Sequence, residues 1–108
     1  TLTISYHSKG EVIYYGFTQE SQNDLIRDKQ IGEQLSMVTG YPLLQTENSS
    51  GGYKDWCIYN FHIPSVTIEL GRDEFDHPIK NIEILDIISK NIGLIDKLCD
   101  IVKLCKEN

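Results

Sequence analysis

Residues Ser65–Leu70 read SVTIEL. Val66, Thr67 and Ile68 are β-branched, and the run is bounded by Pro64 and Gly71. That composition and those flanks predict a β-strand. On its N-terminal side, Tyr53–Asn60 (YKDWCIYN) reads as a short helix behind the loop Asn48–Gly52 (NSSGG). On its C-terminal side lies a charged loop, Gly71–Pro78, and then a helical pattern from Asn81 to about Lys106. A buried strand between two helices points to an α/β protein with parallel pairing across the helices.

Working outward, Leu2, Ile4 and Tyr6 alternate with Thr3 and Ser5, which is strand periodicity. Lys9-Gly10 is a turn signal, and Glu11–Tyr15 (EVIYY) reads as a second strand ended by Gly16. Ser21 is placed to N-cap a helix over Gln22–Val38, with Leu25, Ile26, Leu35 and Val38 facing inward and Gly40 at the C-terminus. Tyr41–Gln45 (YPLLQ) reads as an extended segment, which Pro42 assigns to a sheet edge. In the last helical pattern Leu85, Ile88, Ile92, Ile95, Cys99 and Val102 fall at three- and four-residue steps, an expected core stripe that Gly93 weakens or bends.

The composition bounds the function. One domain is expected from 108 residues, enough to bury roughly 65% of the unfolded surface. The net charge of −6 and pI near 4.9 argue against nucleic acid or anionic membrane as partners, because both demand a basic face. No apolar run approaches the roughly 20 residues of a membrane span. Cys57, Cys99 and Cys105 contain no C-x-x-C pair, and Cys99 and Cys105 do not share a helix face, so a disulfide framework or a cysteine-built zinc site is not expected. All three are expected to act as small buried or half-buried hydrophobes in a reducing compartment, the cytoplasm, with secretion left open.

Two residues stand out at strand ends. His7 follows the first strand directly (TISYHS), and Glu69 is the penultimate residue of SVTIEL. Open α/β sheets place their sites at strand ends, and a carboxylate closing an apolar strand is costly without a partner or a task. His62 and the acidic loop Asp73–His77 fit no metal spacing and read as solvated. Cys57 carries no mark of an activated nucleophile.

Ile4–Gly10 (ISYHSKG), Ser49–Trp56 (SSGGYKDW) and Val66–Leu70 (VTIEL) resemble, in order and spacing, the C-terminal part of the zinc carboxypeptidases. The resemblance is closer still to their bacterial branch, the γ-D-glutamyl-diaminopimelate endopeptidases that cut peptidoglycan peptides. It implies a partial mixed-sheet zinc-carboxypeptidase-like fold, with helices packed on the sheet, in which residues 1–108 form the C-terminal portion of a catalytic domain. It implies that His7 is the last zinc ligand, Glu69 the general base, and Ser8 a residue lining the substrate cleft. It places Lys54 and Asp55 below the pocket for the side chain after the scissile bond. A lysine there suits a carboxylate, such as the distal one of diaminopimelate.

The sequence also departs from that pattern. Glu47, Asn48 and Ser49 stand where the carboxypeptidases carry a mobile tyrosine, and Gly71-Arg72-Asp73 replaces Arg-Asp-Thr-Gly. No H-x-x-E occurs, and a catalytic zinc needs three protein ligands. The expectation is therefore Zn²⁺ in the complete enzyme, none held by this chain alone, and no hydrolysis by it. The alternative is a non-catalytic α/β binding or oligomerisation module derived from such a peptidase. The chain begins at Thr1 on residues that read as a core strand, so an exposed edge and a homodimer through it are expected.

Overall fold

A computed structural model describes the backbone of residues 1–107 and the side chains of residues 1–104. The elements are β1 (Thr3–Ser8), β2 (Val12–Tyr15), α1 (Gln22–Thr39), β3 (Leu43–Gln45), α2 (Tyr53–Phe61), β4 (Ser65–Leu70), α3 (Asn81–Asn91) and α4 (Leu94–Glu107). The four strands form one sheet in the order β1-β4-β2-β3. β1 pairs in parallel with β4, and β2 with β3, while β2 and β4 run antiparallel. The protein is thus mixed α/β, with β4 and β2 inside the sheet and β1 and β3 at the edges.

SVTIEL is an inner strand because it is buried near its start: Ser65, Val66 and Ile68 are all inaccessible to solvent. Val66 and Ile68 join Ile13 and Tyr15 of β2 against Ile31 and Leu35 of α1 and Leu94 and Ile101 of α4. Full burial of each such aliphatic side chain stabilises by about 1.5–3 kcal/mol. α2 packs on β1 and β4. The caps of α1 are those its sequence signals. Ser21 accepts a hydrogen bond from Asp24 N, and Gly40 takes the left-handed conformation at φ 76° and donates to Ser36 O.

Three expectations require correction. On α1 the buried face runs through Asp28, Ile31, Gly32 and Leu35, so Ile26, the next residue round the helix from Leu25, is half-exposed. The C-terminal pattern forms two helices rather than one, broken at Ile92-Gly93, where a side chain on Gly93 would crowd Val38. The break resets the helical phase. Leu94, Leu98 and Ile101 therefore meet the core, whereas Leu85, Ile88, Ile92 and Ile95 are exposed. Finally, Cys57 is buried as expected but Cys99 is exposed; the side chain of Cys105 lies outside the described residues. Among the described residues, no helix is long and apolar enough to cross a membrane.

Candidate functional site

Side chains alternate across a strand. With Val66 and Ile68 in the core, Thr67 and Glu69 point to the opposite face of β4, and the parallel register sets Ser5 beside Thr67 and His7 beside Glu69. His7 and Glu69 are thus neighbours across one strand spacing, about 4.8 Å, at the C-terminal ends of two parallel strands. β2 extends this polar face on the other side of β4, where Tyr14 lies opposite Thr67 and Val12 opposite Glu69.

A cavity of about 730 Å³ opens on this face. Ser5, His7, Tyr14 and Thr67 form its floor, residues from Leu44 to Glu47 with Ser49 one wall, and Gly52–Asp55 at the start of α2 the other. Of the residues singled out in the sequence, His7, Lys54 and Asp55 therefore share one cavity. Glu69 sits beside His7 in the sheet but outside the lining, towards Val12 and Gly10. Ser8 is also outside the lining; its Oγ lies 3.1 Å from His77 Nε2. Ser5, Tyr14 and Thr67 were not singled out. Their signal is positional: each sits two residues from, or directly opposite, a residue on the same face as His7 and Glu69.

Lys54 is the least expected feature. It is only 6% exposed, on a residue type that rarely enters a protein interior unpaired. Its Nζ lies 2.6 Å from Asp55 Oδ1 and also donates to the carbonyl of Gly16. Asp55 Oδ2 in turn accepts from Gly52 N at 3.3 Å, so the same carboxylate closes the N-terminus of α2. An ammonium has three N–H donors. Two are taken by Gly16 and Asp55, and among the described residues no protein acceptor takes the third. The arrangement presents a held cation to the cavity. Gly16 makes the close approach possible: its φ is 88°, and a side chain there would press on Leu25 at 3.0 Å.

Beyond Gly16 the turn runs into a second polar cluster. Phe17 N donates to Glu20 Oε1 at 2.9 Å, and Glu20 N donates back to Phe17 O at 3.1 Å. Glu20 faces Asp28, which is wholly buried. Burial, reinforced by the charge of Asp28, pushes the Glu20 carboxyl up to about 7. Burial also raises Asp28, against the pull of Arg27, whose Nε donates to Asp28 Oδ1 at 2.9 Å. Asp24 is partly buried, yet its carboxyl is held below the usual range by His62 at 2.7 Å and by Arg27. His62 is thus committed to Asp24, and its left-handed conformation ends α2.

A catalytic zinc requires three protein ligands and an open position. Among the described residues, no three His, Cys, Asp or Glu side chains come together in a way that could hold a metal ion. The residues present do not by themselves fit such a centre.

No family model matches the sequence. The chain is similar to γ-D-glutamyl-L-diamino acid endopeptidase 1 of Lysinibacillus sphaericus, at 37% identity over 84 residues. That match covers 74% of this chain and 19% of the relative, so the chain spans less than a fifth of the length of the relative it matches. The chain is a distant homologue of one part of a bacterial peptidase.

Proposed function

We propose that the chain is the C-terminal portion of a metallocarboxypeptidase-type catalytic domain that hydrolyses a γ-D-glutamyl–diamino acid bond of peptidoglycan peptides. The observation that carries this reading is the pairing of His7 with Glu69 beside a cavity walled by the buried Lys54–Asp55 pair. The similarity to an enzyme named for a γ-D-glutamyl-L-diamino acid bond supports the substrate class.

In this reading Lys54 receives the distal carboxylate of the diamino acid through its remaining N–H, and Asp55 fixes the ammonium and balances its charge. Glu69 takes a proton from the attacking water and passes it to the leaving amine, a role worth about 10²–10⁴ in rate. His7 would supply one ligand to a zinc ion, which would polarise the scissile carbonyl and acidify the attacking water, in a zinc-carboxypeptidase-like sheet of which the four strands are one part.

Binding of γ-D-glutamyl-meso-diaminopimelate to the isotope-labelled chain tests the site. Chemical-shift changes centred on His7, Lys54 and Thr67, weakened at least about tenfold in Lys54→Met (1.4 kcal/mol per decade), are expected. Binding that is equal in the two proteins would refute the role of Lys54. A second reading, a non-catalytic binding or oligomerisation module, is favoured by the lack of a three-ligand metal cluster among the described residues.

A further inference from the structure

Glu20 Oε2 and Asp28 Oδ2 are both buried, and neither has a hydrogen-bond partner among the described residues. The two carboxyls face each other. Two carboxylate oxygens without donors are costly in a low-dielectric setting, whereas one proton between them satisfies both: one oxygen donates and the other accepts. The Arg27 guanidinium is hydrogen-bonded to Asp28 and favours its charged form, which places the proton of the pair on Glu20.

Glu20 is also the residue that closes its own turn. Its Oε1 holds Phe17 N, and its backbone N–H holds Phe17 O. Gly16 is the residue next to Phe17, and its carbonyl accepts from Lys54 Nζ. A continuous chain of contacts therefore runs from Asp28 on α1, through Glu20 and the 16–20 turn, to the ammonium in the cavity wall.

We propose that Glu20 is a positioning residue for Lys54: the proton it shares with Asp28 locks the 16–20 turn, and the locked turn aims the Gly16 carbonyl that orients the Lys54 ammonium. The inference rests on the reading of Lys54 as the group that meets substrate.

Loss of the proton puts two negative charges side by side in a buried place. The turn is the part free to yield, since α1 is packed against β2 and α4. The charged groups around Glu20 are few. α1 presents Asp24, Arg27 and Asp28, and α2 presents Lys54 and Asp55, with His62 at its end bonded to Asp24. Of these, Lys54 is the one joined to the turn through its backbone. Opening the turn therefore reorients Lys54, and the cavity binds carboxylate best on the acid side of neutrality.

The test follows the Lys54 Cε and Hε signals and the Phe17 amide of the full chain by NMR from pH 5.5 to 8.5. It uses no substrate, so its outcome is independent of what the cavity binds. Wild type is expected to show Lys54 and Phe17 moving together in one step near pH 7. Glu20→Gln keeps a donor for Asp28 at every pH, and its signals are expected to stay at the acid-side position with the step absent. His62→Gln is expected to leave the step in place. A step that survives in Glu20→Gln, or a Phe17 step that Lys54 does not share, would overturn the proposal.

Discussion

Replacing Lys54 by Met keeps the aliphatic stem in its packing position and deletes only the ammonium. Asp55, also about 6% exposed, then loses its ion-pair partner and keeps a single hydrogen bond, from Gly52 N at 3.3 Å. The Gly16 carbonyl loses its donor as well. Removing one member of a buried pair costs about 3–5 kcal/mol. Two features lower that figure: the cavity lets water reach Asp55, and its place at the start of α2 still favours a negative charge. The net expectation is about 2–3 kcal/mol, which for a domain of this size lowers Tm by roughly 10 °C. Thermal unfolding followed by circular dichroism at pH 7 measures it. Adding Asp55→Asn to the Lys54→Met variant removes the stranded charge and should recover about half of the loss. A Tm within about 2 °C of wild type for Lys54→Met would refute the reasoning, because it would mean that Lys54 stands in solvent.

Glu20 gives a pH dependence of fixed sign. Its carboxyl titrates near 7 in the folded protein against an ordinary value of 4.5, so folding favours the protonated form. That contribution is complete below about pH 4.5 and is lost as pH rises through 7. Glu20→Gln should therefore unfold at a higher urea midpoint than wild type at pH 8.5, with the gap narrowing towards pH 5.5; an equal midpoint at pH 8.5 would contradict the buried pair. Purified chain exposed to Zn²⁺ and desalted should retain well under one equivalent by elemental analysis, and one equivalent lost on His7→Ala would refute the account of an incomplete ligand set. Among the described residues β1 has an unpaired edge, with Leu2, Ile4 and Tyr6 next to Leu98 and Val102. Sedimentation at roughly 10 µM should give the dimer mass, and a monomer would count against pairing through that edge.

The sheet's inner strand was readable because SVTIEL carries its own signals: β-branched residues inside, Pro and Gly outside. Ser21 and Gly40 were readable for the same reason, since capping is a local interaction. The stripe from Leu85 to Ile95 misled because its spacing is helical throughout, while the chain breaks at Gly93 and turns that face outward. Spacing records a helix face and not which neighbour covers it. At the site, His7 and Glu69 could be paired only through family resemblance, because parallel register between segments some sixty residues apart has no local signature. The burial of Lys54 was not readable at all. It depends on the Gly16 carbonyl, brought close by a left-handed glycine turn distant in sequence. The Glu20–Asp28 contact is hidden in the same way, because it forms only when the turn folds back on α1.

We propose that Glu69, beside His7, moves the proton in hydrolysis of a γ-D-glutamyl–diamino acid bond. The most direct test is the release of meso-diaminopimelate from γ-D-glutamyl-meso-diaminopimelate by the intact gene product that carries this chain, comparing wild type with Glu69→Gln. Wild type should show measurable turnover, and the variant a fall in kcat of at least about 100-fold with the dipeptide still bound. Turnover in Glu69→Gln equal to wild type, or dipeptide binding without any hydrolysis by the intact protein, would contradict it.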